Sequence, residues 1–238
     1  MATLFISDLH LEDGRAETTA LLLSFLAREA AGADALYILG DLFEYWVGDD
    51  APSACAIDVA TALRKLSDAG LPCYFQHGNR DFLIGEEYAA LAGFKILPEE
   101  FVTELYGERV LLMHGDSMCT DDVVYQEFRA QVRDPEWQRE ILRQPVAERV
   151  TLARDARDAS AQHKGKVGME IMDVNAGEVA AAFERHGVQR MIHGHTHRPA
   201  IHDLVINGQR AQRIVLGDWY TRGSVLRVTP DGYDLATI

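Results

Sequence analysis

Five times along this chain an apolar run stops at a small polar cluster, and that recurrence constrains the fold more than any other feature. Residues 3–7 lead into Asp8-Leu9-His10, and 35–39 into Gly40-Asp41. Residues 71–77 lead into Gly78-Asn79-Arg80-Asp81, and 109–113 into His114-Gly115-Asp116. Residues 188–192 lead into Gly194-His195-Thr196-His197. Two helical patterns separate the first three runs, 18–31 with Leu22, Leu26 and Ala30 in step, and 52–69 followed by Gly70. The order is βαβαβ. In α/β sheets, ligands collect beyond the carboxyl ends of the strands, so all five clusters are expected at one edge of one structure.

The rest of the chain reads as antiparallel strands and one more helix. Residues 101–106 and 109–113 form a hairpin, and 175–186 a helix opened by Asn175 with Glu178 three residues on. Two further hairpins turn at Asn207-Gly208 and Pro230-Asp231-Gly232. Residues 120–168 fit none of this. They read as two or three helices broken at Pro135 and Pro145. The stretch is rich in apolar side chains such as Val123, Val124, Phe128, Trp137 and Leu142. Between residues 129 and 166 it holds nine Lys or Arg against six Asp or Glu, inside a chain of net charge −14. Such an insert suits a lid with an apolar groove and basic residues over an anionic, partly greasy substrate. A helical subdomain with solvated basic faces is the plainer reading.

The acidic balance argues against a nucleic-acid surface. Cys55, Cys73 and Cys119 are too few and too widely spaced for a disulfide framework and suit reduced thiols in the cytoplasm. The opening residues lack the basic and long apolar regions of a signal peptide. No run approaches the roughly 18 apolar residues of a membrane span.

Gathered at one edge, Asp8, His10, Asp41, Asn79, His114, His195 and His197 form an oxygen and imidazole set without thiolate. It suits Mn²⁺, Fe²⁺, Zn²⁺ or Mg²⁺. Seven ligands exceed one ion and fit two, with Asp41 the natural shared carboxylate and the ions about 3.5–4 Å apart. Alternation along an extending strand would put His195 and His197 on one side of the chain. Each motif alone is weak. Gly-Asp is usually a turn, and an isolated His is more often a satisfied core residue. The specific signal is the order of all five, each directly after an apolar strand.

In that order the motifs resemble the calcineurin-like metallophosphoesterase superfamily. Within it the chain is similar, over essentially its whole length, to the family that hydrolyses UDP-2,3-diacylglucosamine in lipid A biosynthesis. The stretches 36–44, 77–83, 119–122 and 171–175 carry that closer likeness. The resemblance implies an α/β fold: a four-layer sandwich of two mixed sheets flanked by helices (residues 1–119 and 169–238), with an inserted helical cap (120–168). It implies two Mn²⁺ per chain. One would sit on Asp8, His10, Asp41 and His197, the other on Asp41, Asn79, His114 and His195. It implies water attack at the α-phosphorus, giving UMP and 2,3-diacylglucosamine 1-phosphate (lipid X), at the cytoplasmic face of the inner membrane. A peripheral monomer without nucleic acid is the expected state. Substrate contacts carry over to Asn79, Arg80, Asp122, Ser160 and His195. The family often has Asn where Lys164 stands and Lys where Val167 stands, so the positive charge here shifts to Lys164 and Lys166. Arg80 stands where wider superfamily members usually have His, and Glu44 where they have Asp. Another phosphoesterase, acting on a nucleotide or a phosphoprotein, would share the metal site. A silent scaffold of the same fold would be expected to have lost ligands.

Overall fold

Strand β1 (Thr3–Ile6) shows how the layers arise in the computed structural model, which describes residues 1–164, 171 and 173–238. All four of its residues are buried, and their side chains alternate between two cores. Leu4 and Ile6 pack with Leu22, Phe25 and Leu26 of helix α1 (Ala16–Arg28) and with Val59 and Leu63 of helix α2 (Ala54–Asp68). Phe5 faces the other way, into a core that holds Val110, Leu112, Ile192 and Ile214. A strand covered on both faces needs apolar residues in both phases of its period-two pattern, and β1 has them.

Three more parallel strands extend the sheet from β1: β2 (Ala35–Leu39), β3 (Cys73–Gln76) and β4 (Lys95–Ile96). On the other side of β1, β10 (Ser224–Thr229) pairs antiparallel, and β11 (Gly232–Thr237) closes the edge. The second sheet has β6 (Glu108–Leu112), β7 (Arg190–His193) and β9 (Gln209–Val215) in parallel at its centre. β5 (Phe101–Leu105) and β8 (Ala200–Ile206) flank them antiparallel. Its outer face, including Leu111 and Met191, packs with Val179, Ala182 and Phe183 of helix α7 (Ala176–His186). The layers are thus helices, sheet, sheet, helix, as the resemblance implies.

Helix α3 (Glu86–Ala92) and the short β4 are elements that the sequence pattern does not announce. The expected strand through Ile192 ends at His193, so His195 and His197 lie beyond it in a loop.

Within 120–168 the described residues form three helices: α4 (Val123–Val132), α5 (Pro135–Leu142) and α6 (Val146–Lys164). The prolines fall where breaks are expected. Pro135 takes the first helical position of α5, where its missing N–H costs nothing, behind the N-cap carboxylate of Asp134. No helix among the described residues is long and apolar enough to cross a membrane. The three cysteines are buried, and none is in a disulfide.

Candidate metal centre

The strand ends of both sheets meet at one edge, and the backbone there is unusual. Among the described residues, seven non-glycine positions have positive φ, and five are Asp8, His10, Asp41, His195 and His197. The left-handed region costs a side-chain-bearing residue roughly 1–2 kcal/mol. Clustered at one spot, such conformations mark a place where function dictates the backbone. The loops are also pressed together. A Cβ on Gly40 would come within 2.5 Å of His114 Nδ1 and 2.7 Å of Gly78 Cα, and one on Gly78 within 2.0 Å of Asp41 Oδ1. Only glycine permits that approach.

Two half-sites result. In the first, His10 Nε2 and His197 Nε2 lie 3.2 Å apart. Asp8 Oδ1 is 3.3 Å from His197 Nε2, and Asp41 Oδ2 is 3.8 Å from His10 Nε2. In the second, Asn79 Oδ1 sits between His114 Nε2 (3.1 Å) and His195 Nδ1 (2.9 Å), with Asp41 Oδ1 3.7 Å from His114 Nε2. Ligand atoms of Asp8, His10 and His197 gather within 4.8 Å of one another, as do those of Asp8, Asp41 and His114. Asp8 therefore touches both halves, and the two oxygens of Asp41 face different histidines. His195 and His197 diverge into separate halves instead of sharing one side of a strand, because each turns in the left-handed region.

The donor set fits cations. His10 Nδ1 faces Glu44 Oε2 at 3.2 Å, and His197 Nδ1 faces Asp218 Oδ2 at 3.5 Å. His114 Nδ1 donates to the Leu39 carbonyl at 2.8 Å. A proton held on each Nδ1 leaves the Nε2 lone pairs pointing inward, the outer-shell pattern of metal-ligating histidines. Those nitrogens converge with carboxylate oxygens of Asp8 and Asp41. Asp8 Oδ1 is buried and has no hydrogen bond.

The titration behaviour shows the same appetite for positive charge. Burial works against ionised Asp8, but His197, His114 and His10 outweigh it and hold the carboxyl far below its usual range. Burial likewise disfavours charged His114 and His197, yet Asp41 and Asp8 on the first, and Asp8 and Asp218 on the second, lift both above the ordinary histidine value. His195, desolvated in the centre and beside His114, is pushed down to about 3.

Several residues that support the centre were not among the sequence candidates. Asp81, fully buried, accepts from the N–H groups of Leu42 (2.7 Å) and Gly78 (2.9 Å) and so ties the loops after β2 and β3. Burial and neighbouring Asp41 push its carboxyl up to about 7. Asp218 lies just past β9 behind Gly217, a sixth strand end with the same signature as Gly40-Asp41. Tyr220 stacks on His10 with ring centroids 5.1 Å apart, and Tyr125 on His195 at 5.9 Å.

The proposed substrate contacts are placed unevenly. The Arg80 backbone N–H donates to Asp41 Oδ1 at 2.9 Å, and its guanidinium is one of the charges that depress Glu44 against burial. Asp122 is buried at the start of α4, where it accepts from Tyr125 N at 3.0 Å and acts as helix cap. Ser160 is half-buried on α6, one turn beyond Arg157. Lys164 ends α6, but its side chain, like Lys166 and Val167, lies outside the described residues.

The expectation that the insert's basic residues face an anionic substrate needs correction. Arg129 pairs with Asp116 and Glu99, and Arg133 with Glu99. Arg149 grips Asp50 and the Val47 carbonyl, and Arg157 reaches Glu44 and Glu12. Four of the nine basic residues thus pin the insert to carboxylates of the flanking core. On α4 the apolar residues Val123, Val124 and Phe128 are exposed. Trp137 instead packs near Phe82, with centroids 6.2 Å apart.

A two-sheet sandwich with Asp, Asn and His side chains gathered at its strand ends defines a class: this chain belongs to the calcineurin-like phosphoesterases, whose family pattern matches residues 1–199. Within the class it is 56% identical to the UDP-2,3-diacylglucosamine hydrolase of Stenotrophomonas maltophilia K279a, over 100% of this chain and 99% of that one. It is 57% identical to the protein of the same name from Xanthomonas axonopodis pv. citri, over 99% and 98%. Among solved structures, an archaeal phosphodiesterase shares the fold at TM-score 0.51 and 11% identity, over the full length of both chains. Vacuolar protein sorting 29 from Cryptosporidium parvum does so at TM-score 0.51 and 13% identity, over 100% of this chain and 96% of that one.

Proposed function

We propose that the chain hydrolyses the diphosphate of UDP-2,3-diacylglucosamine, giving UMP and 2,3-diacylglucosamine 1-phosphate (lipid X), as a step of lipid A biosynthesis. One observation carries this reading: identity above half, over the full chain, to relatives named for that hydrolysis. It spans the strand-end ligands and the helical insert alike.

Two Mn²⁺ ions would be held, one by Asp8, His10, Asp41 and His197 and one by Asp41, Asn79, His114 and His195, with Asp41 bridging. Bound there, such ions acidify a water and neutralise charge on a phosphoryl group. The chain's own residues select the bond. Arg80 stays protonated and cannot serve as a general acid. It stabilises charge on phosphate oxygens through paired hydrogen bonds. A phosphate leaving group needs that help and little protonation, because its conjugate acid is already strong, whereas an alkoxide would need a proton. Arg80 therefore favours a diphosphate over an alkyl ester. Asn79 and His195 orient the phosphates. Asp122, the cap of α4, and Ser160 on α6 would also contact the substrate. Lys164 and the Val167 position complete the proposed set.

Residues 120–168 would act as a cap that takes the acyl chains. Burying lipid contributes about 0.8 kcal/mol per methylene, and the exposed apolar residues of α4 offer the surface. Basic residues not tied to the core would hold a monomer peripherally at the cytoplasmic face of the inner membrane, each contributing on the order of 1 kcal/mol.

Incubation with UDP-2,3-diacylglucosamine and Mn²⁺ in oxygen-18 water tests both substrate and orientation. UMP is expected, carrying the label, with none in lipid X. Failure to form UMP overturns the substrate. Label in lipid X would mean attack at the sugar-side phosphorus.

A further inference from the structure

Helix α4 touches the supports of three proposed ligands, all in the same half of the centre. Arg133, at its C-terminal end, donates from Nη2 to the Gly78 carbonyl at 2.8 Å. That carbonyl belongs to the peptide whose nitrogen is Asn79's. Because the peptide is planar, fixing the oxygen fixes the plane from which the Asn79 side chain departs. Asp116, two residues past His114, is buried, and its Oδ2 accepts from Tyr125 Oη and Arg129 Nε, each at 2.8 Å. Gln126 Nε2 donates to the Asp116 carbonyl at 2.9 Å. The Tyr125 ring meanwhile stacks on His195. The other half leans elsewhere: His197 on Asp218, and His10 on Glu44, which Arg157 of α6 also contacts. Arg133 is itself mostly buried, held by Glu99 and lying over the Phe82 ring. Its guanidinium is thus locked toward Gly78.

We propose that α4 braces the half of the centre made by Asn79, His114 and His195, with Arg133 as its main positioning residue. This assigns the insert a task beyond holding acyl chains, and it rests on the two-ion reading above. A pure lid would bear on the substrate alone. A brace sets how tightly one of two ions is held, before any substrate arrives.

Equilibrium dialysis with Mn²⁺ alone reads this out. The wild-type chain is expected to bind two equivalents. Arg133→Gln should bind one with unchanged affinity and the other tenfold or more weakly, within the roughly 10–100-fold range of outer-shell partners. Its turnover at limiting Mn²⁺ should fall and return with excess Mn²⁺, while KM for the diacylated substrate stays put. Arg133→Lys, which keeps a donor for Gly78, should recover much of the affinity. Arg149→Gln loosens the insert at its anchor on Asp50 and should leave both Mn²⁺ affinities alone. Should Arg133→Gln not fold, Tyr125→Phe removes a single hydroxyl from Asp116 and should weaken the same ion. Two wild-type equivalents with equal or no weakening in the variants would overturn the brace while leaving the two-ion reading intact. A wild-type chain that does not bind two equivalents would overturn both.

Discussion

Asp41 faces three ways at once. Oδ1 takes the Arg80 N–H and looks toward His114, while Oδ2 looks toward His10. Asp41→Ala should therefore abolish turnover and disturb both ions together. Asp218→Asn removes charge behind His197 only, and should weaken one ion by about 10–100-fold while sparing the other. Counting Mn²⁺ bound to each variant separates the cases; near-normal turnover in Asp41→Ala would exclude a bridge. The seven ligand candidates were legible because each follows an apolar strand. Asp218 carries the same mark and could have been read. Tyr125 could not, since nothing local ties a helical tyrosine to a histidine loop far along the chain. The left-handed turns at the ligands were hidden for a similar reason: Asp and His tolerate that region, but only the surrounding packing imposes it.

Helix α3 shows what escapes a reading by elements. At seven residues it is too short for periodicity to speak. Its N-terminus lacks a local cap. Asp49, far upstream, accepts from Gly85 N and Tyr88 N, both at 2.9 Å, and Tyr88 packs against Phe43, Trp46 and Phe94. The three insert helices, by contrast, were visible from their prolines and apolar residues, though their ion pairs to the core were not. Those pairs sharpen a prediction. Phe128 is 40% exposed on α4, so Phe128→Asp should raise KM for the diacylated substrate and leave an unacylated UDP-sugar nearly unaffected. Trp137→Asp should also lower the melting temperature, because Trp137 packs near Phe82. Equal loss on both substrates for Phe128→Asp would point to folding instead of acyl binding.

On the scale of the whole molecule, the centre joins two sheets that share a core but no hydrogen-bonded strand pair. Asp8, His10, Asp41 and Asn79 come from one sheet, and His114, His195 and His197 from the other. An ion held between them would cross-link the two sheets. Mn²⁺ should raise the melting temperature steeply; a ligand at 100 times its Kd adds about 2.7 kcal/mol. Chelation should reverse the gain, and a flat melting curve across Mn²⁺ concentration would contradict it. The βαβαβ half of this architecture was readable from periodicity. The pairing of Thr3 with Val228 was not, since no local pattern says which late hairpin returns to the first strand. That return has a consequence for the order of assembly. β1 precedes every other described strand in the chain, yet its second neighbour, β10, follows every other one but β11. Until β10 arrives, β1 stays an open edge and its inner core lacks Leu226 and Val228. The Trp219 N–H that anchors the Asp8 carbonyl comes equally late. Because Trp219 and β10 follow all seven candidate ligands along the chain, the strand ends that carry those ligands are expected to settle only once this late hairpin has docked.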